Sequence, residues 1–249
     1  MKSLQISDLP SSPIASVSDK YMFIDTKQVV EDMRDLGYQV AGFRRPNTRT
    51  ANGLYGLHEV DFRMPRDLAT KAAEAPRVLF INSYDGSKRA QLISGIIRFA
   101  CSNGLVVGSL IEKQKFLHLG DYAASLIAQI KESATTAQKV FERIADFKSI
   151  QLDHGQYLEY ATKAAALRYP EGTLDITPEV ILSPRRRDDI GNDLWTRFNV
   201  VQENLVKGGI TGVNTLGHVR SVNQLTQIQQ SNDLNQKLWD LTEEYAALV

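Results

Sequence analysis

The sequence predicts an α+β fold, with a small mixed or antiparallel sheet and a packed helix in the N-terminal half and long helices in the C-terminal half. Three observations carry that prediction. Val60, Phe62 and Met64 alternate with Asp61 and Arg63, the period-two pattern of a half-buried strand. Residues 77–82 (RVLFIN) are denser in apolar side chains, as a central strand is. Further on, Ile130, Ala134, Ala137, Phe141 and Ile144 step by four, three, four and three residues, the stripe of a long amphipathic helix.

Taken in order, residues 1–17 carry Ser, Pro and Asp without periodicity and read as a flexible arm. Thr26 caps a short helix, TKQVVEDMRDLG, with Val29, Val30, Met33 and Leu36 as its apolar residues and a stop at Gly37. Residues 38–43 read as a strand that leads into the polar loop RRPNTRTANG, and Pro65 ends the strand around Val60. SYDGSK is a turn by composition, with Asp85, Gly86 and Ser87 forming the turn and cap of a following helix. That helix is predicted from Ala90, Leu92, Ile93, Ile96, Ile97 and Ala100, and it ends near residues 101–104, where Asn103 and Gly104 suit a left-handed terminus. Residues 105–110 and 115–119 look like two more strands.

A long helix is expected over 121–150, then HGQYLEYATKAAALRY, which stops at Pro170. The stretch PEGTLDITPEVILSPRRRDDIGND reads as an exposed, irregular loop. Helices over 193–206 and 223–248 follow, separated by the Gly-rich GGITGVNTLGH. The expected organisation is an arm at 1–17, an α+β part at 18–120 and a mostly helical part at 121–249, packed as one unit.

Composition narrows the function. Formal net charge is zero, so the whole molecule is not an obvious polyanion binder. A single cysteine, Cys101, excludes an internal disulfide framework and a multi-cysteine zinc site. The longest apolar runs, such as 78–81 and 105–107, fall far short of the ~20 residues that span a bilayer. No export signal stands at the N-terminus, so a soluble, cytoplasmic protein without membrane contact is expected. His58, His118, His154 and His218 form neither HxH nor HExxH, and neither metal nor cofactor is expected.

Two stretches carry a family resemblance: INSYDGSKRAQLISGIIRFACSNGLVVG at 81–108, and LWTRFNVVQENLVKGG at 194–209 followed by NQKLWDLTEEY. They resemble the prokaryotic family labelled "phage/plasmid-like protein", a domain of unknown function. Its hallmarks are an N-S-x-D-G turn, a G-x-x-R-x-x-C-S-N-G-L segment, a Q-E-N-L-x-x-G-G segment and a terminal N-x-x-L-W. Here they fall at Asn82 to Gly86, Gly95 to Leu105, Gln202 to Gly209 and Asn235 to Trp239. The resemblance implies a mobile-element setting beside replication and recombination genes, and it brings no established reaction.

The remaining chemical signal is charge. Between Arg44 and Arg98 ten basic residues face five acidic ones, leaving +5 where the whole chain has zero. Arg44, Arg45, Arg49, Arg63, Lys88, Arg89 and Arg98 are the candidate nucleic-acid-binding residues. Lys88 and Arg89 are expected to open a helix, and Tyr38, Phe43, Tyr55 and Tyr84 to offer faces for unpaired bases. The expected function is nucleic-acid binding for a mobile element, with single-stranded DNA as partner, in annealing during recombination or replication. Phage single-strand annealing proteins share this general plan as a fold-level analogy. Leu238, Leu241 and Tyr245 share a helix face and suggest a homo-oligomer. The alternatives are a protein-binding inhibitor of a host defence or replication factor, and an enzyme acting on nucleotides or nucleic acid through Asp85, Cys101 and His118. The segment 82–86 lacks the glycine spacing of a P-loop, and no catalytic set stands out.

Overall fold

The computed structural model describes residues 5–18, 21, 23–45, 51–65, 74–98, 104–105, 114–115, 128, 139–170 and 173–248. Two compact units divide the chain: Met1–Gly104 with Ile111–Ala137, and Leu105–Leu110 with Gln138–Val249. Helices and antiparallel strands make it an α+β protein.

The first unit is built on α1 (Thr26–Asp35), β1 (Gln39–Arg44), β2 (His58–Arg63), β3 (Glu74–Asn82) and β4 (Gln91–Arg98). β1 to β4 form an antiparallel meander, and the two-residue strands β5 (Gly104–Leu105) and β6 (Gln114–Lys115) both neighbour β4. Asp25, not Thr26, caps α1, its carboxylate accepting from the Lys27 amide at 2.9 Å. Val29, Val30 and Met33 of α1 bury against Val60, Phe62, Val78, Phe80 and Leu92. On the opposite sheet face Glu59, Asp61, Leu79, Ile81 and Ile93 are buried too, so β2 to β4 are covered on both sides. The N-terminal arm packs onto this unit: Leu9 is buried, Ile6 lies against the core, and the Ile14 amide donates to the Tyr84 carbonyl at 3.0 Å.

The helix expected from Ala90 to Ala100 is instead β4, with Leu79 opposite Ile93 and Phe80 opposite Leu92. A strand buried on both faces carries apolar residues in succession, so its pattern mimics a buried helix. Its isoleucines favour a pleated sheet, and Gly95 in mid-segment weakens a helix. Asp85, Gly86 and Ser87 therefore turn between two strands and cap no helix. The Ser87 amide donates to Asp85 Oδ1 at 2.9 Å, and Gly86 takes a φ of +71°. Most of residues 105–119 and 121–138, including Ile130, Ala134 and Ala137, lie outside the described residues.

In the second unit residues 139–149 form α2, followed by α3 (His154–Arg168), β7 (Leu174–Asp175), α4 (Pro178–Ile181), α5 (Leu194–Lys207), β8 (Thr211–Asn214), β9 (Val219–Ser221) and α6 (Ile228–Ala246). α3 packs on α4, α5 and α6, and α5 packs on α6. Asp153 and Gln156 form a capping box at the start of α3, and Asp193 caps α5. The core is aromatic, with Trp195 stacked on Phe198 at 5.3 Å and Phe147 5.0 Å from Trp239. Two sequence expectations change here. The Gly-rich connector holds a hairpin that, with β7, makes a three-stranded antiparallel sheet. The supposed irregular loop contributes β7, α4 and the buried side chains of Ile176 and Ile181. Short elements give too few residues for a period to show.

Candidate functional site

Strand register decides where the candidate cations go. Arg44 lies opposite Glu59, His58 opposite Asn82, and Ile81 opposite Gln91. Arg44, Arg45 and the β3–β4 loop with Lys88 and Arg89 therefore share one end of the sheet. Arg63, opposite Gln39, and Arg98, opposite Glu74, stand at the other end, roughly 14 Å away along β2. Arg49 and the Arg98 side chain lie outside the described residues.

Several of these charges are neutralised on the sheet. Arg44 Nε lies 3.2 Å from Glu59 Oε1, Arg63 Nη2 2.7 Å from Asp61 Oδ2, and Arg77 Nη1 3.6 Å from the same Asp61 oxygen. Burial lowers the Arg77 pKa, while Asp61 and Glu59 oppose that shift. Arg45 differs: its Nη2 donates to the neutral Gly53 carbonyl at 2.7 Å, which fixes the guanidinium without cancelling its charge. Lys88 and Arg89 are exposed. The expected helix N-terminus behind them is a loop, so no helical amides reinforce these two cations. Burial resists ionisation of the nearby Asp85, but hydrogen bonding, first from Ser87, outweighs it and holds the carboxyl below its ordinary value. Tyr38 and Tyr84 are buried and present no face to a base, whereas Phe43 and Tyr55 are partly open.

Beneath this end lies a buried polar network formed by the N-S-Y-D-G turn. The Asn82 amide donates to the Ile24 carbonyl at 2.9 Å and to Thr26 Oγ1 at 3.3 Å, and its oxygen accepts from the Ser83 amide at 2.9 Å. Ser83 Oγ accepts from the Lys88 amide and donates to the Lys88 carbonyl, both at 3.0 Å, which closes the loop that presents Lys88 and Arg89. Tyr84 Oη accepts from the Thr26 amide at 2.8 Å. His58 Nε2 lies 2.7 Å from Thr26 Oγ1, and its Nδ1 lies 3.1 Å from the Gly56 carbonyl. A carbonyl can only accept, so Nδ1 carries the proton and Nε2 accepts from the threonine. Burial pushes the His58 pKa down to about 4, so the ring is neutral. Thr26 and His58 resemble a hydroxyl–base pair, yet both are fully buried and every polar atom is committed, so the pair holds the fold. Asp85 stands in the turn, while Cys101 and His118 lie outside the described residues.

The Q-E-N-L-x-x-G-G segment builds a second network, in the other unit. Gln202 Nε2 donates to Asn235 Oδ1 at 3.0 Å, joining this segment to the N-x-x-L-W segment inside the core. Glu203 binds Arg186 Nη2 at 2.5 Å and Lys207 Nζ at 2.7 Å. Asn204 donates to the Ile181 and Ser183 carbonyls at 2.8 and 2.9 Å and accepts from Arg185 Nε at 2.5 Å. Sequence reasoning passed over Arg185 and Arg186 as loop residues. The signal that could have found them is the polar Q-E-N triplet in mid-helix, where buried amides and a buried acid need partners.

Leu238, Leu241 and Tyr245 are buried within their own unit, so a homo-oligomer would need another surface. Among the described residues no group of His, Cys, Asp and Glu could hold a metal ion, and no helix is long and apolar enough to cross a membrane. Residues 13–239 match the family described as Domain of unknown function (DUF932). The UPF0380 proteins YfjQ and YafZ of Escherichia coli (strain K12) are each 30% identical over 233 residues, covering 92% of this chain and 83% of the relative. No solved structure matches the chain.

Proposed function

The chain belongs to the DUF932 family, whose description carries no activity, and we propose from its geometry that it binds nucleic acid, single-stranded DNA above all, in the service of a mobile element. One observation carries the reading: antiparallel register gathers Arg45, Lys88 and Arg89 at one end of the sheet, each without a carboxylate partner among the described residues. Arg44 stands beside them, half neutralised by a buried glutamate and still partly exposed. Phe43 and Tyr55, partly open beside the same loops, are the surfaces on which unpaired bases would stack. The resemblance to phage and plasmid proteins supports the mobile-element setting.

Three cations on phosphates make affinity fall with about the second power of salt concentration. Fluorescence anisotropy with a labelled single-stranded oligonucleotide at low ionic strength tests this. Binding should weaken roughly a hundredfold for a tenfold rise in salt. Lys88→Ala with Arg89→Ala should weaken binding and make the salt slope shallower by about 1.4. No binding by the wild-type chain at low salt would dispose of the reading.

The exposed apolar residues Val213, Leu216 and Val219 on the β8–β9 hairpin favour a second reading, docking of a host protein. Leu216→Ser with Val219→Ser should then abolish capture of that protein while oligonucleotide binding is unchanged.

A further inference from the structure

Arg185 is exposed, yet its guanidinium is fixed at two points by neutral acceptors: Nε donates to Asn204 Oδ1 at 2.5 Å and Nη2 donates to the Gly208 carbonyl. Asn204 is itself almost wholly buried, and its own donors are spent on the Ile181 and Ser183 carbonyls, so its oxygen has one orientation. Among the described residues Arg185 makes no ion pair, in contrast to the adjacent Arg186, which Glu203 neutralises. A fixed, uncancelled guanidinium keeps both hydrogens of Nη1 and one of Nη2 for a ligand.

That ligand has a place to sit. Arg185, Ser183, Asn204, Gly209, Thr211 and Glu179 line an open groove of about 560 Å³, the size of a small-ligand site. Gly209 has a φ of +74°, and the nearest atoms to a Cβ built there are the Arg185 Nη1 and Nη2 groups, at 4.0 Å. A Cβ there would make only ordinary contact with the guanidinium, so it is the positive φ that favours glycine at this point. Residues of the Q-E-N-L-x-x-G-G segment thus supply the acceptor that orients Arg185 and the carbonyl that pins it.

We propose that this groove binds a phosphate monoester, that of a nucleoside or sugar monophosphate. The guanidinium, together with hydroxyl residues Ser183 and Thr211 among those that line the groove, offers more donors than a planar carboxylate uses and suits a tetrahedral dianion. Glu179, which lines the same groove, is an acceptor for a sugar hydroxyl or base amine of such a ligand. The inference does not rest on the nucleic-acid reading: the groove lies in the other unit and uses none of Arg45, Lys88 and Arg89.

Isothermal titration of the full chain with AMP, inorganic phosphate and adenosine tests it. AMP should bind more tightly than either fragment, and Arg185→Gln should weaken it roughly tenfold or more with the circular dichroism unchanged. In wild-type NMR spectra AMP should shift the Gly209 and Thr211 amides, which decides the matter even if Arg185→Gln fails to fold. A 5′-phosphorylated oligonucleotide, set against its 5′-hydroxyl counterpart, separates a nucleic-acid end from a free nucleotide as the source of the phosphate. If neither AMP nor the phosphorylated end binds in an Arg185-dependent way or shifts those amides, the proposal is overturned. Lys88→Ala with Arg89→Ala should leave AMP binding unchanged.

Discussion

His58 sits between Thr26, Gly56 and Tyr84, and burial lowers its pKa from 6.5 to about 4. The unfolded chain takes up a proton on this ring at higher pH than the folded chain does. Stability is therefore fully present above about pH 6.5 and drains away as the pH falls toward about 4. The first unit is expected to lose ~2 kcal/mol between about pH 7 and about pH 5, read from urea midpoints. His58→Gln should be less stable at neutral pH but flat across that window, and an equally steep loss in the variant would refute the assignment to His58. The sequence showed Asn82, Ser83 and Asp85 as turn residues, and the turn is there. It did not show that Asn82 reaches the backbone at Ile24, because that bond joins residues far apart in the chain.

Among the elements, the α5–β8 link and the β8–β9 turn each rest on a glycine, and the two differ in cost. Gly208 has a φ of +65°, and a Cβ there would lie 2.6 Å from the Asn223 carbonyl oxygen, against backbone that cannot yield. Gly217, in the β8–β9 turn, has a φ of +77° but nothing within 4 Å. Gly208→Ala should cost more than ~3 kcal/mol and Gly217→Ala ~1 kcal/mol, compared by thermal unfolding. Equal melting temperatures would mean that φ alone, and not the packing, sets the cost. α3 and α5 were legible because each has a visible stop or cap, and α6 because its apolar residues recur at helical spacing over a long run. β4 was not, since burial on both faces erases the alternation that distinguishes a strand.

For the whole molecule, zero net charge conceals a sorting of charges by the fold. The +5 segment places Arg63 and Arg77 against Asp61 and Arg44 against Glu59, while Arg45, Lys88 and Arg89 have no carboxylate partner among the described residues. Position across the sheet should then decide which cation matters. Arg63→Ala is expected to leave oligonucleotide affinity within about twofold, whereas the Lys88, Arg89 pair of changes weakens it. A larger loss for Arg63→Ala in the same anisotropy titration would move the interface to the other end of the sheet. The sequence by itself determined the α+β class, the principal helices, the strands β1 to β3 and membership of a family of unknown function, because periodicity, caps and short sequence patterns are local properties. Which cations are cancelled, which tyrosines are buried and what holds Arg185 were decided only by the tertiary structure. Pairing and burial depend on strand register and on contacts between distant residues, and no local pattern encodes either.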